Sequence, residues 1–208
     1  MTGREAATTA RREQIIRTTI ALLAERGYQA TTFEAICRAA ELSSKRLITY
    51  HFSSKDELFA AVAERVAADS ETHVQAAIAG VDDARELLTT VIRANVMFIA
   101  DHAPQMEALR QILLNGGMSD WRRYHVDSQD RLARLFAEGQ DAGAFRRCDP
   151  RVMAAALRAS IDSTAALISD GVDPRRCADE LVTLFDLGTN PHHDRRTEDA
   201  HPTRRESP

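Results

Sequence analysis

Lysine is almost missing from this chain: of 27 basic residues only Lys45 and Lys55 are lysines, and the rest are arginines. Cysteine is scarce too. Cys37, Cys148 and Cys177 are odd in number and show no CxxC spacing, which excludes a disulfide framework and a zinc ribbon. Aromatics make up 5% of the chain, and β-branched residues seldom run together, which argues against a sheet protein. Long apolar runs are lacking. The candidate stretch at residues 91–100 is short and broken by Arg93 and Asn95, so no membrane span is expected. The charged opening MTGREAATTARREQ has no apolar core of the kind a secretory signal needs. No phosphate-binding glycine loop, dinucleotide fingerprint, HExxH or GxSxG is found, so no cofactor is expected. These absences leave the expectation of a soluble, cytoplasmic protein.

What is present is charge asymmetry and helical periodicity. The net charge is −4, yet residues 1–55 hold nine Lys/Arg against five acids, a local balance of +4 that leaves −8 for the remainder. A basic head on an acidic body is a modest pointer to a polyanionic partner. Residues 11–26 place Ile15, Ile16, Thr19, Ile20, Leu22 and Leu23 on one stripe, with Gly27 where a left-handed cap is wanted. A second, short helix is expected over 33–40, started by a Thr31/Glu34 capping box or by Thr32 as N-cap. After Glu41-Leu42, Ser43 is placed to cap a third helix running to Phe52. Ser53 or Ser54 followed by Asp56 and Glu57 opens a fourth over 56–79. Five more are expected: from Asp82 or Asp83 to 101, over 104–114, from Ser119-Asp120 to Gly139 or Gly143, and from Asp149-Pro150 and Asp173-Pro174 to 169 and 188. The fold class is therefore all-α, with nine helices.

Residues 36–55 carry the most information. A short helix, a link of three or four residues and a second short helix rich in Ser, Lys, Arg, Thr, Tyr and His form a helix-turn-helix pattern. Ile36, Cys37 and Ala40 brace Leu42 and Leu47, so the second helix can offer hydroxyls and cations to a major groove that admits one helix. Ser43, Ser44, Lys45 and Arg46 stand at its N-terminal end, where base-edge contacts are usually made.

The series Arg12, Ile15-Ile16, Ala21, Gly27-Tyr28, Ala30-Thr31-Thr32, Ile36, Ala39-Ala40, Leu42-Ser43, Tyr50-His51-Phe52 and Ser54-Lys55-Asp56-Glu57-Leu58 resembles the N-terminal domain of the tetracycline-repressor (TetR) family. The resemblance covers about fifty residues. It implies an all-helical, ligand-responsive transcriptional regulator, a repressor that binds palindromic double-stranded operator DNA. Its organisation would be a DNA-binding domain over 1–55, a ligand-binding and dimerising domain over 56–189, and a tail over 190–208. Carried over by position, Thr32 and Lys55 would contact phosphate, and Ser44, Lys45, Arg46 and Thr49 would face bases. Tyr50 and His51 would touch the backbone. This chain departs from the family twice. Glu41 stands where glycine is usual, and the stretch from Ser43 to Phe52 is one residue longer than usual.

A small-molecule inducer needs an apolar lining with a few polar groups. Asn95, on the stripe of Val91, Ile92 and Ile99, must find a partner if buried. Met97, Phe98, Met106, Met118, Trp121, Tyr124 and Phe136 are the large, adaptable side chains near it in sequence. Arg158 and Asp162, four apart, read as a surface pair. The last two helices read as the homodimer face. Ala154, Ala155, Ala156, Ala159, Ser160, Ala165 and Ala166 permit close approach, and Cys177, Leu181, Leu184 and Phe185 form a stripe. The tail NPHHDRRTEDAHPTRRESP has almost nothing apolar and is expected to be disordered, so His192-His193-Asp194 is not taken as a metal site. A helical enzyme is the rival class, opposed by the lack of any catalytic pairing. A protein-binding module with a non-functional DNA head is the third reading.

Overall fold

The computed structural model describes residues 3–116 and 118–191, with the helix path alone for 118–125. Among the described residues there are nine helices and no strand: α1 (Gly3–Ala30), α2 (Phe33–Ala39), α3 (Arg46–His51), α4 (Lys55–Ile78), α5 (Ala84–Asp101), α6 (Ala103–Leu114), α7 (Met118–Asp141), α8 (Pro150–Ser169) and α9 (Pro174–Thr189). The start signals act as their chemistry requires. Thr32 accepts from the Ala35 N–H, Ser54 from Glu57, Asp83 from Arg85 and Glu86, Asp149 from Arg151 and Val152, and Asp173 from Arg175. Thr32, and not Thr31, is the cap of α2. Thr31 is buried and donates to the Gly27 carbonyl at 2.8 Å. The tail residues 192–208, with His192, His193 and Asp194, lie outside the described residues.

The chain divides into two compact units. Among the described residues, one comprises 3–73 with 98–116 and 118–126, the other 74–97 with 127–191. In the first, α1 packs on α2 and α6, around a core that includes Ile15, Ile16, Leu23, Ile36, Ile48, Phe52, Leu58 and Val62. Gly27 adopts φ 76°, which kinks α1 before its last turn. The kink takes the Tyr28 N–H out of its helical bond, and Gln111 of α6 supplies the acceptor at 3.2 Å. α1 also begins earlier than its apolar stripe. Residues 3–10 are exposed throughout, and their Ala, Arg and Glu favour helix without packing.

The turn after α2 is a Schellman cap: Leu42 N–H bonds the Cys37 carbonyl at 2.9 Å and Glu41 N–H the Arg38 carbonyl at 3.3 Å. Glu41 occupies its left-handed position with φ 51°, the one non-glycine residue described in that region. A Cβ there costs about 1–2 kcal/mol, part of which glycine gives back as unfolded-chain entropy. Glu41→Gly is therefore expected to stabilise the protein by about 0.5–1 kcal/mol, a Tm rise of about 2 °C measured by calorimetry.

Here the structure corrects the sequence reading. α3 starts at Arg46, its N-cap is Lys45 in a helical conformation without a side-chain cap, and Ser43 and Ser44 lie in the connection. The apolar anchors explain this. Leu42 is buried at the turn, and Ile48 and Phe52, four apart and both fully buried, set the register of α3.

In the second unit, α8 packs on α9, and Val96, Cys177 and Ala178 form a small core with Ile168, Val172 and Leu181 against it. By length and composition α8 is also apolar enough to cross a membrane, with a mean hydropathy of 1.2, which the sequence reading passed over. An arginine and an aspartate in its middle, paired with each other, fit a helix packed on protein better than one in lipid. The stripe on α9 is split: Cys177 and Phe185 turn inward, whereas Leu184 is 59% exposed. On α8, Ala154 is fully buried, while Ala155, Ala156, Ala159 and Ala166 are exposed. Cys148 and Cys177 are not joined in a disulfide.

Candidate nucleic-acid interface

α2 and α3 are held by their buried faces, so their outer faces are the free ones. Ile36 of α2, its C-cap Ala40, Ile48 of α3 and the flanking Leu42 and Phe52 share one core. Opposite it, Ser43, Ser44, Lys45, Arg46, Thr49 and Tyr50 are all exposed, and Tyr50 is 74% exposed, an unusual state for a tyrosine in a folded chain. Thr49 donates its hydroxyl to the Arg46 carbonyl at 3.2 Å. The Tyr50 ring leans edge-on against the His51 imidazole, 5.1 Å between centroids.

Thr32, Lys45, Thr49 and Lys55 come together, with Phe33 and Glu34, around one surface groove. Sequence spacing alone does not bring these four side chains to one place; the Schellman turn does. Thr32 is the N-cap of α2 and is exposed. Glu34 forms an ion pair with Lys45, and that hydrogen bond holds its carboxyl below the usual range. The pair is exposed, so a phosphate oxygen can take over Lys45 at little cost.

Lys55 is differently placed. Its Nζ donates to the Tyr28 carbonyl at 3.0 Å and lies 4.2 Å over the Tyr28 ring and 5.0 Å from the Phe59 ring. Burial pushes its pKa down, against the opposing pull of Asp56. It thus ties the start of α4 to the kinked end of α1 while lining the groove. At the next serine, Glu57 accepts from the Ser53 N–H at 2.7 Å and from the Ser53 hydroxyl, which holds its carboxyl low and fixes the entry into α4.

His51 is half-buried at the end of α3, and its pKa is lowered by that burial and then by the charges of Arg12 and Arg11. Neither arginine is among the candidate DNA-contact residues read from the sequence, although Arg12 opens the series that resembles the family. Arg12 lies 5.0 Å over the Phe52 ring. Gln14 beside them donates to the Ala40 carbonyl at 2.9 Å. The signal that marks them is the basic bias of α1 itself.

The candidate ligand residues fall into two groups. Phe98 and Met106 belong to the core of the first unit, where the His102 ring stacks on Phe98 at 4.0 Å. Asn95, Met97 and Phe136 lie in the second unit. Phe136 is fully buried against Phe145, 5.9 Å between centroids. The side chains of Met118, Trp121 and Tyr124 lie outside the described residues. Asn95 finds the partners its burial requires: its amide donates to the Val91 carbonyl at 2.8 Å, and its oxygen accepts from Arg158 at 3.3 Å. Arg158 also binds Asp162 at 2.5 Å, and its side chain is 15% exposed, so the two are not a simple surface pair. The Arg158 Nε–H is buried without an acceptor. Among the described residues no group of three His, Cys, Asp or Glu is placed to hold a metal.

Residues 15–62 match the sequence model of the family described as bacterial regulatory proteins, tetR family. No curated protein matches the chain by sequence. Among solved structures, a TetR-like transcriptional regulator from Rhodococcus sp. RHA1 is 23% identical, with a TM-score of 0.68 over 84% of this chain and 92% of that one. AibR, solved in complex with isovaleryl coenzyme A and operator DNA, is 20% identical with a TM-score of 0.69 over 84% and 97%. The fatty acid degradation regulator FadR from Bacillus halodurans is 17% identical with a TM-score of 0.74 over 83% and 93%. At these identities the likeness is one of fold.

Proposed function

We propose that this chain, a member of the tetR family of bacterial regulatory proteins through residues 15–62, is a ligand-responsive repressor that binds a palindromic operator as a homodimer. The observation that carries the reading is the outer face of α3: a run of exposed Ser, Lys, Arg, Thr and Tyr on a helix whose other face is anchored by Ile48. Arg46 and Thr49 take the bases, with Lys45, Ser44 and Ser43 at the approach to the helix. Tyr50 and His51 meet the backbone. Thr32, Lys45 and Lys55 around their groove hold one phosphate row.

The homodimer reading rests on α8 and α9, whose exposed faces carry Val152, Leu167, Leu184 and Leu187 beside small alanines. Two such faces related by a two-fold axis make a self-complementary four-helix contact. The inducer reading rests on Asn95 and Arg158. The buried Nε–H of Arg158 wants an acceptor, which fits a small, largely apolar ligand carrying one oxygen acceptor. That AibR was solved with both an acyl coenzyme A and operator DNA agrees with such a pairing of functions. α4 runs unbroken from Lys55 to Ile78, so a shift of its far end on ligand entry would move Lys55 and part the two recognition helices from the spacing of about 34 Å that successive major grooves demand.

Footprinting on DNA flanking the gene, with competitor DNA present, tests the reading. A protected inverted repeat with half-sites about one helical turn apart is the expected result. No protection there, and no sequence enriched in a random-DNA selection, would refute it. Arg46→Ala is expected to weaken operator binding by about 1–3 kcal/mol and to relax the preference at one position of each half-site, measured by competition with single-base operator variants. An unchanged preference would remove Arg46 from the base-reading set.

A further inference from the structure

One charged face is left unused by the recognition helix and by the Thr32 groove. Ala7, Ala10, Arg11, Gln14 and Arg17 line a second surface depression on the side of α1. By helical spacing these residues share one face, and the two alanines leave room between the arginines. Gln14 fixes that face against the helix-turn-helix, because its Nε2 donates to the Ala40 carbonyl at the end of α2. Its Oε1 accepts from Arg11 Nη1 at 2.7 Å, which holds the Arg11 guanidinium in place. Arg17 is exposed and has no partner among the described residues. Arg12, next to Arg11 in sequence, lies 5.0 Å over the ring of Phe52, the residue that closes α3, so the face adjoins the recognition helix.

The two depressions sit at opposite ends of α2. One includes Thr32 at its start, and the other is tied by Gln14 to Ala40 at its end. Seven residues of helix span about 10 Å, close to the ~12 Å width of the major groove, whose two edges are phosphate rows. We propose that Arg11 and Arg17 on α1 form a second phosphate-binding cleft, which holds the DNA backbone across the groove from the one met by Thr32, Lys45 and Lys55. Of the acids near this face, Glu13 is drawn to Arg65 of α4. Glu41 follows Ala40 and is exposed, an acid that opposes the phosphate.

This inference rests on the operator-binding reading above. Its test uses the full chain and an operator defined by footprinting, with affinity measured by fluorescence anisotropy between 50 and ~300 mM salt. Each of Arg11→Ala and Arg17→Ala is expected to lower the salt slope by about 0.9, and so to weaken binding about eight-fold at ~0.1 M salt, for operator and random DNA alike. Arg11→Lys should keep the slope. Phosphate-ethylation interference should lose signal, in the double variant, on one backbone of each half-site only, the two related by the operator's two-fold axis. Wild-type slope and affinity in the double variant, with the wild type binding normally, would overturn the second cleft and leave the operator reading standing. A changed base preference in either variant would also overturn it, because the arginine would then read bases. Failure of the wild type to bind any DNA would remove both together.

Discussion

Gly139→Ala is expected to destabilise the protein by about 2–4 kcal/mol, although the same exchange in an ordinary helix is worth about 1 kcal/mol in the other direction. The reason lies where α7 ends. The chain reverses at Gly143, which adopts φ 72°, and the N–H groups of Ala144 and Phe145 both return to the Gly139 carbonyl, at 2.9 and 3.0 Å. That return lays the Phe145 ring directly on Gly139. A Cβ at 139 would fall well inside van der Waals distance of two Phe145 ring carbons. The ring cannot yield, because Phe145 is 4% exposed and packed on Phe136. It must leave the core, and its burial is lost. The next residue carries the damage further, since Arg146 donates from its backbone N–H to the Thr189 carbonyl at 2.8 Å and from Nε to Gly188 at 2.6 Å, at the end of α9. Urea denaturation measures the loss. In a Phe145→Ala background the clash disappears, and alanine at 139 should become favourable, a coupling of about 2 kcal/mol or more. An equal cost in both backgrounds would exclude the steric account.

Phe52→Ala is expected to cost about 3–5 kcal/mol and to abolish operator binding. Phe52 is fully buried and its N–H bonds the Ile48 carbonyl at 2.9 Å, so it closes α3 onto the core. Arg12 stacks on its ring, which also makes it a post for the arginines of α1. Without the ring, α3 loses the second of its two fully buried anchors, and its exposed Arg46, Thr49 and Tyr50 lose their place. A decrease of at least 100-fold in affinity is expected, about 2.7 kcal/mol, as much as the strongest single DNA contact supplies. Phe52→Leu, which keeps most of the volume, should recover most of both losses. Anisotropy and denaturation on the same samples check this. An alanine variant of full stability that still fails to bind would instead make Phe52 a contact residue.

These two cases show how unevenly the sequence can be read. The N-terminal helices are legible because each signal in them is local. The isoleucine and leucine stripe fixes the buried face of α1, Thr32 and Ser54 cap as hydroxyls do, and Gly27 takes the positive φ that glycine alone adopts freely. Ser43 was misjudged as a helix cap because the register of α3 is set by what Leu42, Ile48 and Phe52 must bury, not by the serine. Gly139 could not be read as critical at all. Its neighbour in space is six residues away and folded back by a turn.

The body was legible only as helices. The stripe of Cys177, Leu181, Leu184 and Phe185 gives a helical period but does not say which members close the monomer and which face out, and the packing of α8 on α9 decided that. Asn95 was marked as a polar residue in apolar company, yet its partner Arg158 is 63 residues distant and was read as belonging to Asp162 alone. Composition, periodicity and capping residues thus determined the all-helical class and the helix-turn-helix by themselves, since those depend on neighbours one turn apart along the chain. Which hydroxyls and cations share a groove, which buried N–H lacks an acceptor and which glycine lies under a ring were decided by tertiary structure, because each depends on residues that meet only when separate helices pack.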